Sequence, residues 1–189
     1  LGGLPAVCSP PPLDPAPPLP PPRAAQHPGV MKRLTMATWN AAALFCSRFA
    51  VRAAARAKMS RFQQLLRSAD ILCIQEAHGQ PGDLDTLVRE APSHCHFGSF
   101  SPSPAAGGVL ISLRNEFVAG VNTFEEIVIS PGWCLALRCT GPLVATQFIC
   151  IHIEPALTLA AKVKLFGDIR VCSEAFAGDS FLFGDFNFI

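Results

Sequence analysis

Several things are missing from this chain of 189 residues, and each absence narrows what it can be. No apolar run reaches the ~18 residues that a membrane-spanning helix needs. The opening residues have neither the basic n-region nor the apolar h-region of a secretory signal. The eight cysteines include no Cys-x-x-Cys pair, and Cys73, Cys134, Cys150 and Cys172 sit inside apolar runs. Buried, reduced thiols in an intracellular setting are therefore expected rather than a disulfide framework. Charged residues make up only 15% of the chain against 50% hydrophobic ones, so a sizeable core can form. Acids are absent from Pro15 to Ala69, a span holding nine of the 15 Lys and Arg, whereas residues 70–189 carry thirteen acids against six bases. Such asymmetry fits a nucleic-acid face beside an acidic metal pocket. There is no internal repeat.

What is present divides at about residue 30. Residues 1–30 hold eleven of the 18 prolines and read as a disordered or polyproline II leader, with a folded domain over 31–189. Leu34–Asn40 reads as a strand ending in an amide. Residues 48–69 read as a helix whose Ala55, Met59, Phe62, Leu66 and Ala69 face the core. Arg48, Arg52 and Arg56 form an i, i+4, i+8 stripe on another face, either a solvated surface or a ridge that contacts phosphate. Ile71–Glu76 is an apolar strand ending in Gln-Glu. Asp83–Ala91 reads as a short helix capped by Asp83. Further strands are expected at 95–100, 107–113, 125–130, 133–139 and 143–153, then an amphipathic helix over 157–176 and a buried strand at 181–183.

The last nine residues hold the densest chemistry. In Gly184-Asp185-Phe186-Asn187-Phe188 a period of two sets both polar groups opposite both rings. The same residues also make ordinary turns, because Asp and Asn bond their own backbone. With Asn40 and Glu76, they give three strands that end in a carboxylate or amide, which mixed-sheet packing would gather at one rim. His152 ends a fourth strand. His94-Cys95-His96 has the look of half a zinc site, but no second ligand pair supports it.

The order "TWN … IQE … GDFN", with "GGV" between, resembles the endonuclease/exonuclease/phosphatase superfamily from about Leu34 to Phe188. The resemblance implies an α/β fold, a deoxyribonuclease I-like mixed-sheet sandwich with flanking helices. It implies Mg2+ (or Mn2+) bound by Glu76 with help from Asn40. It also implies that Asp185 positions the attacking water and that Asn187 bonds a phosphate oxygen. His152 stands where deoxyribonuclease I and the sphingomyelinases place a histidine that protonates the leaving oxygen. Many related enzymes carry a Tyr there, and this chain has none. Asn187, Asn40, Arg48 and Arg52 are the substrate-binding candidates.

The superfamily also carries a closing Asp–His pair that activates water. The first residue is Leu and the chain stops after "GDFNF", so a truncated, inactive and poorly soluble piece is expected. The leading functional expectation is endonucleolytic nicking of DNA in the nucleus, by a non-LTR retrotransposon endonuclease joined to a reverse transcriptase. The alternatives are a lipid or inositol-phosphate phosphodiesterase of the same fold, and a catalytically dead remnant that binds nucleic acid.

Overall fold

The structure is a computed structural model that describes residues 33–45 and 52–187. Among the described residues, eight strands form two sheets of four. In the first, β1 (Met36–Asn40), β2 (Ile71–Gln75), β4 (Val109–Arg114) and β3 (His94–Ser99) lie in that order. In the second the order is β5 (Thr123–Ser130), β6 (Cys134–Gly141), β7 (Val144–His152) and β8 (Asp179–Asp185). Each sheet contains one parallel pair, β1 with β2 and β7 with β8; the remaining pairs are antiparallel. Helix α1 (Arg52–Ser68) makes the first crossover and α4 (Leu159–Glu174) the second. A 3₁₀ turn at Pro81–Asp83 leads into the short α2 (Leu84–Glu90), and α3 (Asn115–Val118) follows β4.

Strand alternation explains why so few charges suffice. Ile71, Cys73, Ile111, Leu113, Leu135, Leu137, Phe148 and Cys150 fill the space between the sheets. Their neighbours in sequence face outward into two further cores. Leu72, Ile74 and Leu110 meet Phe62 and Leu66 of α1 and Leu87 of α2. Cys134, Ala136, Ile149 and Ile151 meet Leu165, Ile169 and Cys172 of α4. The central strands are apolar on both faces, which is why they read as continuous runs rather than alternating ones. Truncating the fully buried Phe148 to Ala would cost about 3–5 kcal/mol.

The mixed-sheet sandwich with flanking helices is as the sequence implied, and the core face of α1 is as its periodicity implied: Phe62, Leu66 and Ala69 are buried. Other expectations need correction. Asp83 does not cap α2 through its side chain. It ends the 3₁₀ turn, and its Oδ2 accepts the N–H of Gln80 at 2.8 Å. Helix α4 is capped by Thr158, whose Oγ1 accepts from Ala161 N–H at 3.2 Å. It is not cleanly amphipathic, since Leu159, Val163 and Val171 stand on its exposed side. The final strand is not buried. Among the described residues β8 pairs with β7 alone, so Phe181 and Phe183 are half-buried and Leu182 is 41% exposed.

Candidate active site

Because both parallel pairs run through crossover helices, the carboxyl ends of four strands meet at one rim of the sandwich. Asn40 is the last residue of β1 and sits in register with Gln75, so Glu76 follows one step beyond β2. His152 ends β7 opposite Asp185, which ends β8. Ligand atoms of Glu76, His152 and Asp185 all lie within 4.8 Å of one another. Of the four residues expected to gather, Asn40, Glu76 and Asp185 meet through side-chain hydrogen bonds, Asn187 reaches Asp185 through its backbone N–H, and His152 joins them.

Asn40 is the hinge of the cluster. Its Nδ2 donates to Glu76 Oε1 at 2.9 Å and to Asp185 Oδ2 at 2.8 Å. Its Oδ1 accepts the N–H of Ala42 at 3.0 Å. Only one amide orientation satisfies these partners, since two carboxylates demand the NH₂ and a backbone N–H demands the oxygen. The loop 41–45 runs on beside β2, with Ala41 N–H on Gln75 O and Ala43 N–H on Glu76 O. Lys58 of α1 grips the carbonyls of Ala42 and Ala43.

His152 is 4% exposed, and its Nε2 lies 3.2 Å from Glu76 Oε1. That separation suits an ion pair but is off the hydrogen-bonding line, so both ring nitrogens are buried without a hydrogen-bond partner. The ring packs on Trp133, centroids 5.3 Å apart, and His152 N–H donates to Trp133 O at 2.8 Å. Beneath the rim, Thr38 Oγ1 donates to Gln75 Oε1 at 3.1 Å and Gln75 Nε2 to Cys150 Sγ at 3.2 Å. This buried amide ties β1, β2 and β7 together directly under the cluster.

Asn187 departs from the expected alternation. The strand ends at Asp185, and Asn187 takes φ 42°. Its N–H donates to Asp185 Oδ1 at 3.2 Å and its Nδ2 to Ile153 O at 2.8 Å. The turn and the site are thus the same feature: the Asx turn aims Asp185, and Asn187 clamps the end of β7. Gly184 is required where it stands, because a Cβ would collide with the carbonyl of Ile151. Phe188 lies outside the described residues.

The other histidines divide. His94 Nδ1 meets Ser93 Oγ at 3.0 Å and its Nε2 Ala69 O at 3.5 Å. His96 Nδ1 meets Ser112 Oγ at 2.9 Å and its Nε2 Ala91 O at 3.1 Å. Every ring nitrogen of that pair is engaged, so no zinc ligand is spare. His78 lies just past Glu76 with φ 57° and a buried, unpartnered Nδ1. Burial lowers its pKa first, with Glu76 raising it and Lys58 and His152 lowering it. The described cysteines are all free, and burial pushes the Cys139 thiol up to about 12.

Of the arginine stripe, Arg48 lies outside the described residues, only the backbone of Arg52 is described, and Arg56 is exposed. Sequence reasoning missed Trp133 and the Gln75 cross-tie. The signal for each was proximity, Trp133 following the Pro131-Gly132 turn and Gln75 preceding Glu76.

Two carboxylates share one neutral amide here, and the His152 imidazole stands 3.2 Å from one of them. Two carboxylates offering oxygen donors side by side suit a hard divalent cation.

A profile of the Endonuclease/Exonuclease/phosphatase family matches residues 37–189. No curated protein matches the chain. Solved structures share its fold at low identity. TDP2 of D. rerio, complexed with a single-strand DNA product, is 19% identical with TM-score 0.56. The 3′ phosphatase NExo from Neisseria, bound to a product DNA hairpin, is 17% identical with TM-score 0.57. The mannosyl-6-phosphatase Bt3783 of Bacteroides thetaiotaomicron is 17% identical with TM-score 0.58. Each similarity covers 82% of this chain, which spans 61%, 58% and 66% of those proteins respectively.

Proposed function

Since the chain belongs to the endonuclease/exonuclease/phosphatase family, we propose that it serves metal-dependent hydrolysis of a phosphodiester, with DNA as the substrate. The observation that carries this reading is the cluster of Glu76, His152 and Asp185, whose ligand atoms all fall within 4.8 Å of one another. Glu76 and Asp185 are the groups that would hold Mg2+ or Mn2+. When bound, such an ion would offset the negative charge that builds on the phosphoryl oxygens during in-line attack.

The chain's own residues supply the rest. Asn40 holds the two carboxylates side by side through its NH₂ group. This makes it a positioning residue more than a ligand, because its oxygen is turned onto Ala42. Asp185 orients the attacking water. Asn187 keeps one N–H beyond the one it gives to Ile153 O, and that donor is directed to a phosphate oxygen. His152 stands within reach of Glu76 and protonates the leaving oxygen. DNA is favoured over a lipid by two structural relatives solved with DNA and by the arginine-rich start of α1. A reverse transcriptase in the same reading frame would support the retrotransposon branch.

The test is calorimetric titration of Mg2+ into the protein and its Glu76→Gln variant, alongside nicking of supercoiled plasmid and hydrolysis of sphingomyelin micelles. Binding that disappears in the variant, with affinity or activity confined to DNA, supports the reading. Equal Mg2+ affinity in both proteins would remove Glu76 from the site, and turnover of micelles alone would transfer the function to lipid.

A further inference from the structure

Among the described residues, five that are not glycine adopt a left-handed φ: Ala42 at 44°, Ala43 at 74°, Glu76 at 51°, His78 at 57° and Asn187 at 42°. All five lie just beyond the strand ends that build the site. Such conformations are strained and persist where surrounding structure over-determines them. Four of the five have an evident task. Ala42 and Ala43 wrap the turn that receives Asn40 Oδ1, Glu76 belongs to the proposed metal site, and Asn187 forms the Asx turn on Asp185. His78 is the remaining one.

The surroundings of His78 are built for its position. Its N–H donates to Gly107 O at 2.9 Å, and Ala77 N–H donates to Gly108 O at 2.9 Å. Gly108 takes φ 85°, and a Cβ there would lie 2.7 Å from His78 N, so only glycine allows this approach. Nδ1 is buried with no partner, while the ring as a whole is half-buried. A neutral imidazole carries one proton, and a bare Nδ1 would leave it on Nε2, which is not among the buried atoms without a partner. Lys58, the nearby cation, is occupied with the carbonyls of Ala42 and Ala43.

We propose that His78 is a second substrate-contacting histidine, its Nε2–H donating to a non-bridging oxygen of the phosphate held at Glu76 and Asp185. This rests on the metal-site reading above. His152 would face the leaving oxygen and His78 a non-reacting one, so the two rings divide the phosphate between them.

The experiment measures two affinities separately: Mg2+ alone, and inorganic phosphate added to the Mg2+-saturated protein. His78→Ala should leave Mg2+ affinity unchanged and weaken phosphate about five- to tenfold, the worth of one hydrogen bond. His78→Gln, which restores an N–H donor, should recover part of that loss. Histidine side-chain ¹⁵N spectra of the unaltered protein give a measurement that no folding defect can blur, and the His78 Nε2 resonance should move as phosphate is added. Unchanged phosphate affinity in His78→Ala, or a His78 resonance indifferent to phosphate, overturns the proposal and returns the residue to packing. A wild-type protein that fails to bind Mg2+ overturns the underlying metal site and this inference with it, a result distinct from loss of phosphate alone.

Discussion

Two pairs of histidines in this molecule live by opposite rules. His94 and His96 lie on β3, their rings stacked 6.4 Å apart, and each ring nitrogen has found a hydroxyl or a carbonyl. His78 and His152 lie at the rim, and between them three ring nitrogens are buried without a hydrogen bond. A buried polar group without a hydrogen bond is destabilising and calls for an explanation, and a ligand site at this rim supplies one. The comparison separates histidines that support the structure from histidines offered to a ligand, and it does so without reference to relatives.

The sharpest way to break that contrast is to remove the charge beside the unmatched rings. Glu76→Gln or Asp185→Asn should weaken Mg2+ by more than about a hundredfold, beyond the range seen when an outer-shell partner is lost. Isothermal titration reads this directly, and an unchanged affinity would show that the rim is merely polar. Asn40→Ala is next in size. It leaves both carboxylates without the amide that holds them together, so Mg2+ affinity should fall about 10–100-fold while the ligands themselves remain.

Much of this rim could be read from the residues, for a physical reason. A strand that is apolar on both faces and then stops on Asn, Glu or Asp announces a sheet edge where polar groups are wanted. Glu76 follows such a run in β2, while Asn40 and Asp185 end the less buried edge strands β1 and β8. The turns were harder to see. Nothing in "QEAHG" says that Glu76 and His78 take left-handed φ, because that depends on Gly107 and Gly108 arriving from β4. Asn187 was ambiguous between strand and turn until the carbonyl of Ile153 was in place to receive its amide. The apolar Phe181–Phe183 run suggested burial, yet burial is a property of neighbours, and among the described residues β8 has one strand beside it. The histidine pair on β3 resembled a zinc half-site because spacing alone cannot show that Ser112 and Ala91 have already taken the His96 ring.

The structural pair yields smaller effects with the opposite signature. Ser112→Ala leaves His96 Nδ1 unmatched in the sheet and should cost about 1–3 kcal/mol of stability by urea denaturation, with Mg2+ affinity untouched. A fall in Mg2+ affinity there would blur the distinction between the two pairs.

The least conspicuous effect is in the pH dependence. Burial lowers the pKa of both His94 and His96, opposed by the Ala69 and Ala91 carbonyls that their rings meet. Around His94, Arg114 also lowers it while Glu116 and Asp70 raise it. A depressed pKa means that the folded protein resists a proton the unfolded chain accepts. Stability is then fully present above the ordinary histidine pKa of about 6.5 and is lost as pH falls through it. His96→Gln should flatten that decline without abolishing it, because His94 and His78 lean the same way. Urea midpoints of the two proteins at pH 7.5 and 5.5 decide the matter. If the variant loses as much stability on acidification as the parent, the His96 ring is not a proton-excluding element of the core, and the line between satisfied and offered histidines would rest on hydrogen bonds alone.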